Sequence, residues 1–364
     1  MKVKAALIEE KNSDFKLTDL ELDDPKEYEV LTKIIATGIC HSDVAGKAGL
    51  WTEPPLVLGH EGAGIVQKVG EKVTNVQVGD HVVLSVPYCD ECDNCQEGNT
   101  SLCLRVSELS TMGTMRDGTS RISKDGKRIH CFFGQSSFTT YAVTHYTSVI
   151  KIDQSVPLKL MGPLGCGFQT GAASVLEFFK AEPGSSIAVF GCGSVGLAAI
   201  MAAKIAGCKT IIAVGGTPPK LELALEIGAT HTINRLETPD IPEAIRSIVH
   251  SGVNYSIDTT GNQKMIDAAI YSLTSKGQAM LHAVGADPTV PVMYMMGHWI
   301  NVGSAPEGGA DTQAFIPRLV QYYKDGLFPV EKLISFYQFN EIEQAFADMN
   351  AGKVIKPVLL INEE

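Results

Sequence analysis

Ile187-Ala188-Val189-Phe190-Gly191-Cys192-Gly193-Ser194-Val195-Gly196 is the stretch on which the reading of this chain turns. Four apolar residues have the character of a buried strand, three glycines follow in the pattern G-x-G-x-x-G, and an apolar helical pattern runs from Val195 to Ala206. In that setting Gly191 permits a tight turn, Gly193 lets a pyrophosphate approach the backbone at a helix N-terminus, and Gly196 lets helix and strand pack closely. All three are read as cofactor-binding, for a dinucleotide. An ordinary glycine turn is the bland alternative, and the flanking strand and helix patterns weigh against it.

Outward from this point the chain alternates. Strand patterns at Ser186 to Phe190, Thr210 to Val214, Thr230 to Ile233, Tyr255 to Thr259 and Gly277 to Val284 are separated by helix patterns at Val195 to Ala206, Lys220 to Ile227, Ile241 to Val249 and Met265 to Leu273. Such alternation predicts a doubly wound parallel sheet. Upstream, as far as Val86, short β-rich runs broken by turn residues predict a mostly antiparallel β body. After Gly303 come two helix patterns, Thr312 to Lys324 and Asn340 to Met349, and a closing strand, Pro357 to Ile361, expected to rejoin that body. The domains expected are therefore 1–167 with 303–364, and a nucleotide domain, 168–302, inserted between them.

Where the second strand of such a sheet ends, an Asp or Glu ordinarily accepts the adenosine ribose hydroxyls of NAD. Here the chain reads Val214-Gly215-Gly216-Thr217. Without an acid, repulsion against a 2′-phosphate disappears, and Gly215, Gly216, Thr217 and Lys220 offer backbone and side-chain donors. NADP is the preferred reading and NAD the alternative.

Two further groups of residues bind metal by their spacing. Cys89-x2-Cys92-x2-Cys95-x7-Cys103 sets four thiols in one loop, enough to close a tetrahedral structural zinc site. Disulfides are the alternative, and the reducing cytoplasm disfavours them. Cys40 and His60 supply a thiolate and an imidazole, the donors a borderline-soft ion prefers, and Cys166 in the glycine-rich run Gly162 to Gly167 is the best third ligand. Three ligands leave one position open, as catalytic zinc requires.

Bulk properties narrow the class of function. At 364 residues the chain predicts two domains, and a net charge of −11 without a basic block argues against nucleic acid or an anionic membrane surface. The N-terminus meets acidic residues before a signal-peptide core develops, so the cytoplasm is the expected location. The most apolar window, Ile187 to Ala203, is too short and too glycine-rich to span a membrane.

Taken together, Cys40, His60, Cys166, the four-cysteine loop and the glycine pattern give the chain, over essentially its whole length, a resemblance to the zinc-dependent medium-chain alcohol dehydrogenases, in particular their aryl and benzyl alcohol branch. The resemblance implies a GroES-like catalytic domain, a Rossmann domain, and two zinc ions per subunit: one held by Cys40, His60 and Cys166, the other by Cys89, Cys92, Cys95 and Cys103. It implies Glu61 as a carboxylate behind the catalytic ion, Ser42 as the start of a proton relay, and Asp43 as the group orienting His60. His41 and Lys356 match basic positions facing the cofactor pyrophosphate. Thr170 and Val195 match residues that hold the nicotinamide. The relay histidine common among relatives is replaced by Ala45, so the relay must end at a ribose hydroxyl, another group or water.

A small Ser85, with Trp51 and Val86 at the same mouth, is expected to admit planar or branched alcohols; Met293, Met295 and Met296 are a candidate outer pocket, or else core or subunit interface. The implied reaction is interconversion of primary, aromatic or allylic alcohols and aldehydes by hydride transfer with NAD(P). Glutathione-dependent formaldehyde oxidation, or a non-catalytic nucleotide-binding relative, are the alternatives. The polar excursion between Met112 and Cys131 implies a homodimer, with a tetramer the alternative.

Overall fold

The computed structural model describes residues 1–282 and 287–364. The chain divides into two compact units, one formed by 1–166, 311–326 and 330–364, the other by 167–310 and 327–329. The second unit thus continues past the expected boundary at 302, because the turn after the last sheet strand folds back on the helix at its start: Glu307 bonds Gln169 and Thr170.

The first unit is built of two sheets. In one, Lys2–Ile8 pairs antiparallel with Lys16–Leu22, which extends to the hairpin of Ile122–Lys124 and Lys127–Arg128. That hairpin occupies the polar excursion of the sequence. Asp125 and Gly126 both take positive φ, 51° and 73°, the conformation of a turn that matches strand twist.

In the other sheet, the ten-residue strand Glu29–Gly38 lies between Glu61–Val69 on one side and two partners in tandem on the other. Tyr141–His145 pairs with its first half, and Lys356–Leu360 pairs with its end. The closing strand therefore does rejoin the β body. This register sets both Glu61 and the Lys356 strand beside Gly38, where a Cβ would lie 2.0 Å from a Glu61 carboxylate oxygen.

In the second unit, six parallel strands run in the order His231–Asn234, Thr210–Gly215, Ser186–Phe190, Val253–Asp258, Leu273–Leu281, Asn301–Gly303. Numbered along the chain this is 3-2-1-4-5-6, the doubly wound dinucleotide-binding order. The central strand Ser186–Phe190 is buried along its whole length, as a strand covered on both faces must be. The strand expected from Gly277 to Val284 begins earlier, at Leu273, and its last expected residues, Ala283 and Val284, lie outside the described residues. A helix over Gly167–Ala173 leads into this sheet and continues as a wider turn over Ser174–Phe178.

Candidate metal centre and cofactor site

Cys40 stands where the strand Glu29–Gly38 has ended and the short helix His41–Lys47 begins. Asp43, fully buried in the first turn of that helix, organises the site. One carboxylate oxygen accepts from the Cys40 N–H at 2.9 Å; the other accepts from the Gly59 N–H at 3.0 Å and holds His60 Nδ1 at 3.1 Å. Gly59 has φ 94°, and a Cβ there would meet the Phe138 nitrogen at 2.6 Å, so only glycine makes this turn.

With Nδ1 committed to Asp43, the other ring nitrogen, Nε2, is buried and finds no hydrogen-bond partner among the described residues. A buried nitrogen without a partner costs free energy unless something fills its lone pair. Ligand atoms of Cys40, His60, Glu61 and Cys166 all lie within 4.8 Å of one another. The contact with Cys166, assisted by the Lys356 charge, outweighs burial and holds the Cys40 thiol well below its ordinary range, favouring the thiolate. Two thiols and a lone-pair nitrogen fit a zinc ion.

Cys166 reaches this point because its turn is glycine-rich. A Cβ on Gly162 would lie 2.3 Å from the Glu61 carbonyl oxygen, and one on Gly165 would lie 2.0 Å from that of Leu84. Both glycines are required for the turn to rest against the strands that carry Glu61 and Leu84.

Lys356 departs from expectation. It is 2% exposed, and its ammonium donates to Glu61 Oε1 at 2.8 Å, Glu61 Oε2 at 2.9 Å and the Ile39 carbonyl at 3.1 Å. It therefore does not present a charge to a pyrophosphate. Burial alone would push this ammonium down, but Glu61 more than compensates and keeps it charged. His41 is exposed on the first residue of its helix. The Ser42 hydroxyl lies 3.9 Å from Cys40 Sγ.

Ser85 is a second correction. It is fully buried and its hydroxyl donates to the Gly165 carbonyl at 2.7 Å, so it lines no accessible space. The wall beside His60 is aromatic instead. Phe132 and Phe133 stack at 4.3 Å, Phe133 lies 5.1 Å from the His60 ring, and Trp51 packs 5.2 Å from Phe133. Val86 is half-buried. Sequence reasoning missed Phe132 and Phe133, whose signal was the aromatic pair directly after Cys131. Met293 and Met296 are largely exposed on the helix Val292–His298, which buries no residue.

In the four-cysteine loop, Cys89, Cys92, Cys95 and Cys103 also place their sulfurs within 4.8 Å of one another. The N–H groups of Cys89 and Arg105 donate to Cys103 Sγ at 3.2 and 3.3 Å, and that of Cys92 donates to Cys89 Sγ at 3.3 Å. Backbone donors aimed at sulfur leave the four side chains converging on one point, the arrangement of a tetrahedral metal site. All nine cysteines are free of disulfides.

In the second unit Gly191 has φ 103°, and a Cβ on Gly196 would lie 1.8 Å from the Gly191 carbonyl oxygen. Above Gly193, which caps the helix Ser194–Ile205, there is open space. That is a cradle for a phosphate at a helix N-terminus, and the residues fit a dinucleotide. Val195 is half-buried on the first turn of this helix. The Thr170 hydroxyl is 3.2 Å from Glu307 Oε2. Gly215 ends the second strand and Gly216 follows it, with Thr217 capping the helix Pro218–Ile227 that carries Lys220.

A sheet in the nucleotide-binding order, together with a buried site of two thiols and an imidazole in a β body, defines a zinc- and nucleotide-binding oxidoreductase. Comparison with known proteins gives the family. Residues 26–154 match the alcohol dehydrogenase GroES-like domain, and residues 194–321 match the zinc-binding dehydrogenase domain. The geraniol dehydrogenase of Castellaniella defragrans is 36% identical over 361 residues, covering 98% of this chain and 97% of that one.

Two solved structures each cover 100% of both chains. An alcohol dehydrogenase zinc-binding domain protein from Burkholderia ambifaria is 38% identical with a TM-score of 0.96. The benzyl alcohol dehydrogenase of Acinetobacter calcoaceticus is 37% identical with a TM-score of 0.95. The chain belongs to the zinc-dependent medium-chain alcohol dehydrogenase family. Among the described residues, no helix is long and apolar enough to cross a membrane.

Proposed function

We propose that the chain interconverts planar primary alcohols, allylic or aromatic, with their aldehydes, and that NADP is its preferred cofactor. The observation that carries the substrate class is the partly exposed pair Trp51 and Phe133 beside His60, backed by the buried ring of Phe132. Flat rings pack against flat substrates with more contact than ethanol can offer. The geraniol and benzyl alcohol dehydrogenases similar to this chain support the same class. The missing acid at Gly215 supports NADP.

In this reading Cys40, His60 and Cys166 hold a catalytic zinc, and Cys89, Cys92, Cys95 and Cys103 hold a structural one. A bound zinc supplies a Lewis acid that lowers the pKa of an alcohol oxygen, and a bound nicotinamide supplies the hydride acceptor. The residues do the rest. Asp43 fixes the His60 tautomer so that Nε2 is free to bind metal. The Ser42 hydroxyl accepts the alcohol proton at Oγ and passes it on. Thr170 and Val195 position the cofactor ring, Gly191, Gly193 and Gly196 cradle its phosphates, and Trp51 with Phe133 and Val86 holds the planar group of the substrate.

Initial-rate kinetics test this. Benzyl alcohol and geraniol should exceed ethanol in kcat/KM, and Trp51→Ala should lower the aromatic and allylic values by about 10–100-fold, the worth of one aromatic contact of about 1–3 kcal/mol. Ethanol should change far less. Equal losses for all three alcohols, or no preference in the unmodified enzyme, would sink the assignment.

A further inference from the structure

We infer that Arg235 is the side chain that receives the 2′-phosphate of NADP. The inference rests on the cofactor preference proposed above and names the residue that creates it.

The parallel register pairs Gly215 with Asn234, so Arg235 emerges beside the end of the second strand, its N–H donating to the Gly215 carbonyl at 2.8 Å. Its guanidinium lies over Gly216: a Cβ there would meet Nε at 3.1 Å, and Cζ and Nη2 at 3.3 Å. The side chain is exposed, and among the described residues its guanidinium makes no hydrogen bond or ion pair. Nearby acids are engaged elsewhere. Glu237 accepts from Asn234 Nδ2 at 2.7 Å, and Asp240 accepts from the Glu243 N–H at 2.9 Å.

The alternatives to a side-chain donor are few. A Cβ on Gly215 would lie 2.9 Å from Cys192 Sγ and 3.1 Å from a Leu221 methyl, so an acid at this position would require the glycine loop to shift. The helix that follows begins with Pro218 and Pro219, which have no N–H, while the Lys220 and Leu221 N–H groups turn back to the Thr217 carbonyl. A helix start normally rich in free amides is here depleted of them. A phosphate dianion bound at this point finds few free helix amides, and a guanidinium offers it two parallel N–H donors. Lys220, close enough for its charge to act on Cys192, is the second cation of the site.

The test is calorimetric titration of the full-length, zinc-containing protein with adenosine 2′,5′-bisphosphate and with adenosine 5′-monophosphate, at low and high salt. The unmodified protein should bind the bisphosphate about tenfold or more tightly, and the advantage should shrink with salt. Arg235→Leu and Arg235→Gln should erase the advantage and leave monophosphate binding unchanged, while Arg235→Lys should keep part of it. A preference that survives both neutral variants would overturn the role of Arg235 and leave NADP selectivity standing on Lys220 or Thr217. Loss of monophosphate binding in both would reassign Arg235 to structure. No preference in the unmodified protein would overturn the inference together with the cofactor reading.

Discussion

Lys356 shows how much one residue's meaning depends on what stands beside it. In the sequence it is a basic residue near the C-terminus, followed by Pro357, and by family resemblance it matches a position facing the cofactor pyrophosphate. In the fold it is buried against Glu61 because its strand pairs with the end of Glu29–Gly38, a contact across almost 300 residues of chain that no local pattern reveals. A charge this deep is tolerated only when paired. Lys356→Met should therefore lower stability by about 3–5 kcal/mol, since it leaves the Glu61 carboxylate buried without its cation. Denaturant titration measures this; a loss under about 1 kcal/mol would show that the pair matters little.

Ser85 misleads for a related reason. Its smallness is legible in the sequence, but its direction, toward the Gly165 carbonyl, is not. The metal-ligating set is plainer, because thiols and imidazoles at short spacings carry their chemistry with them.

Among the elements, the strand–glycine–helix unit is readable because it is local: one apolar run, one turn and one helix are consecutive in the chain. The parallel order follows, since strands alternating with helices allow few arrangements. The two sheets of the β body are not readable in detail. Their pairings join distant segments, such as Leu56–Val57 with His130–Cys131, and local propensity does not encode a partner.

The end of the strand Tyr141–His145 carries an element-scale prediction. His145 accepts from the Thr147 N–H at the start of the next turn, and burial, assisted by the nearby Arg116 charge, pushes its pKa down from 6.5 to about 3. A folded-state pKa below the unfolded value means that the unfolded chain takes the proton first. The stability contributed is complete above pH 6.5 and is lost as pH falls towards about 3, with a slope of up to about 1.4 kcal/mol per pH unit. Burial of His282, which moves its pKa down to about 4, adds a loss of the same sign. His145→Gln should therefore show a shallower fall in Tm between neutral and acid pH than the unmodified protein. Parallel curves for the two would remove His145 from the acid response.

On the scale of the whole molecule, two compact units divide the chemistry. Every residue of both thiol clusters belongs to the first unit, while the glycine cradle and Arg235 belong to the second. This division lets metal and nucleotide binding be measured separately in the intact chain.

The central claim is that Cys40, His60 and Cys166 hold the ion on which turnover depends, and zinc analysis joined to activity tests it most directly. The unmodified protein should carry two zinc ions per chain. Cys40→Ser and His60→Ala should each carry one, stay folded, bind nucleotide and lose turnover by at least about 1000-fold, the scale expected when a main catalytic group is removed. Retention of both ions and near-normal turnover in Cys40→Ser and His60→Ala would contradict the account.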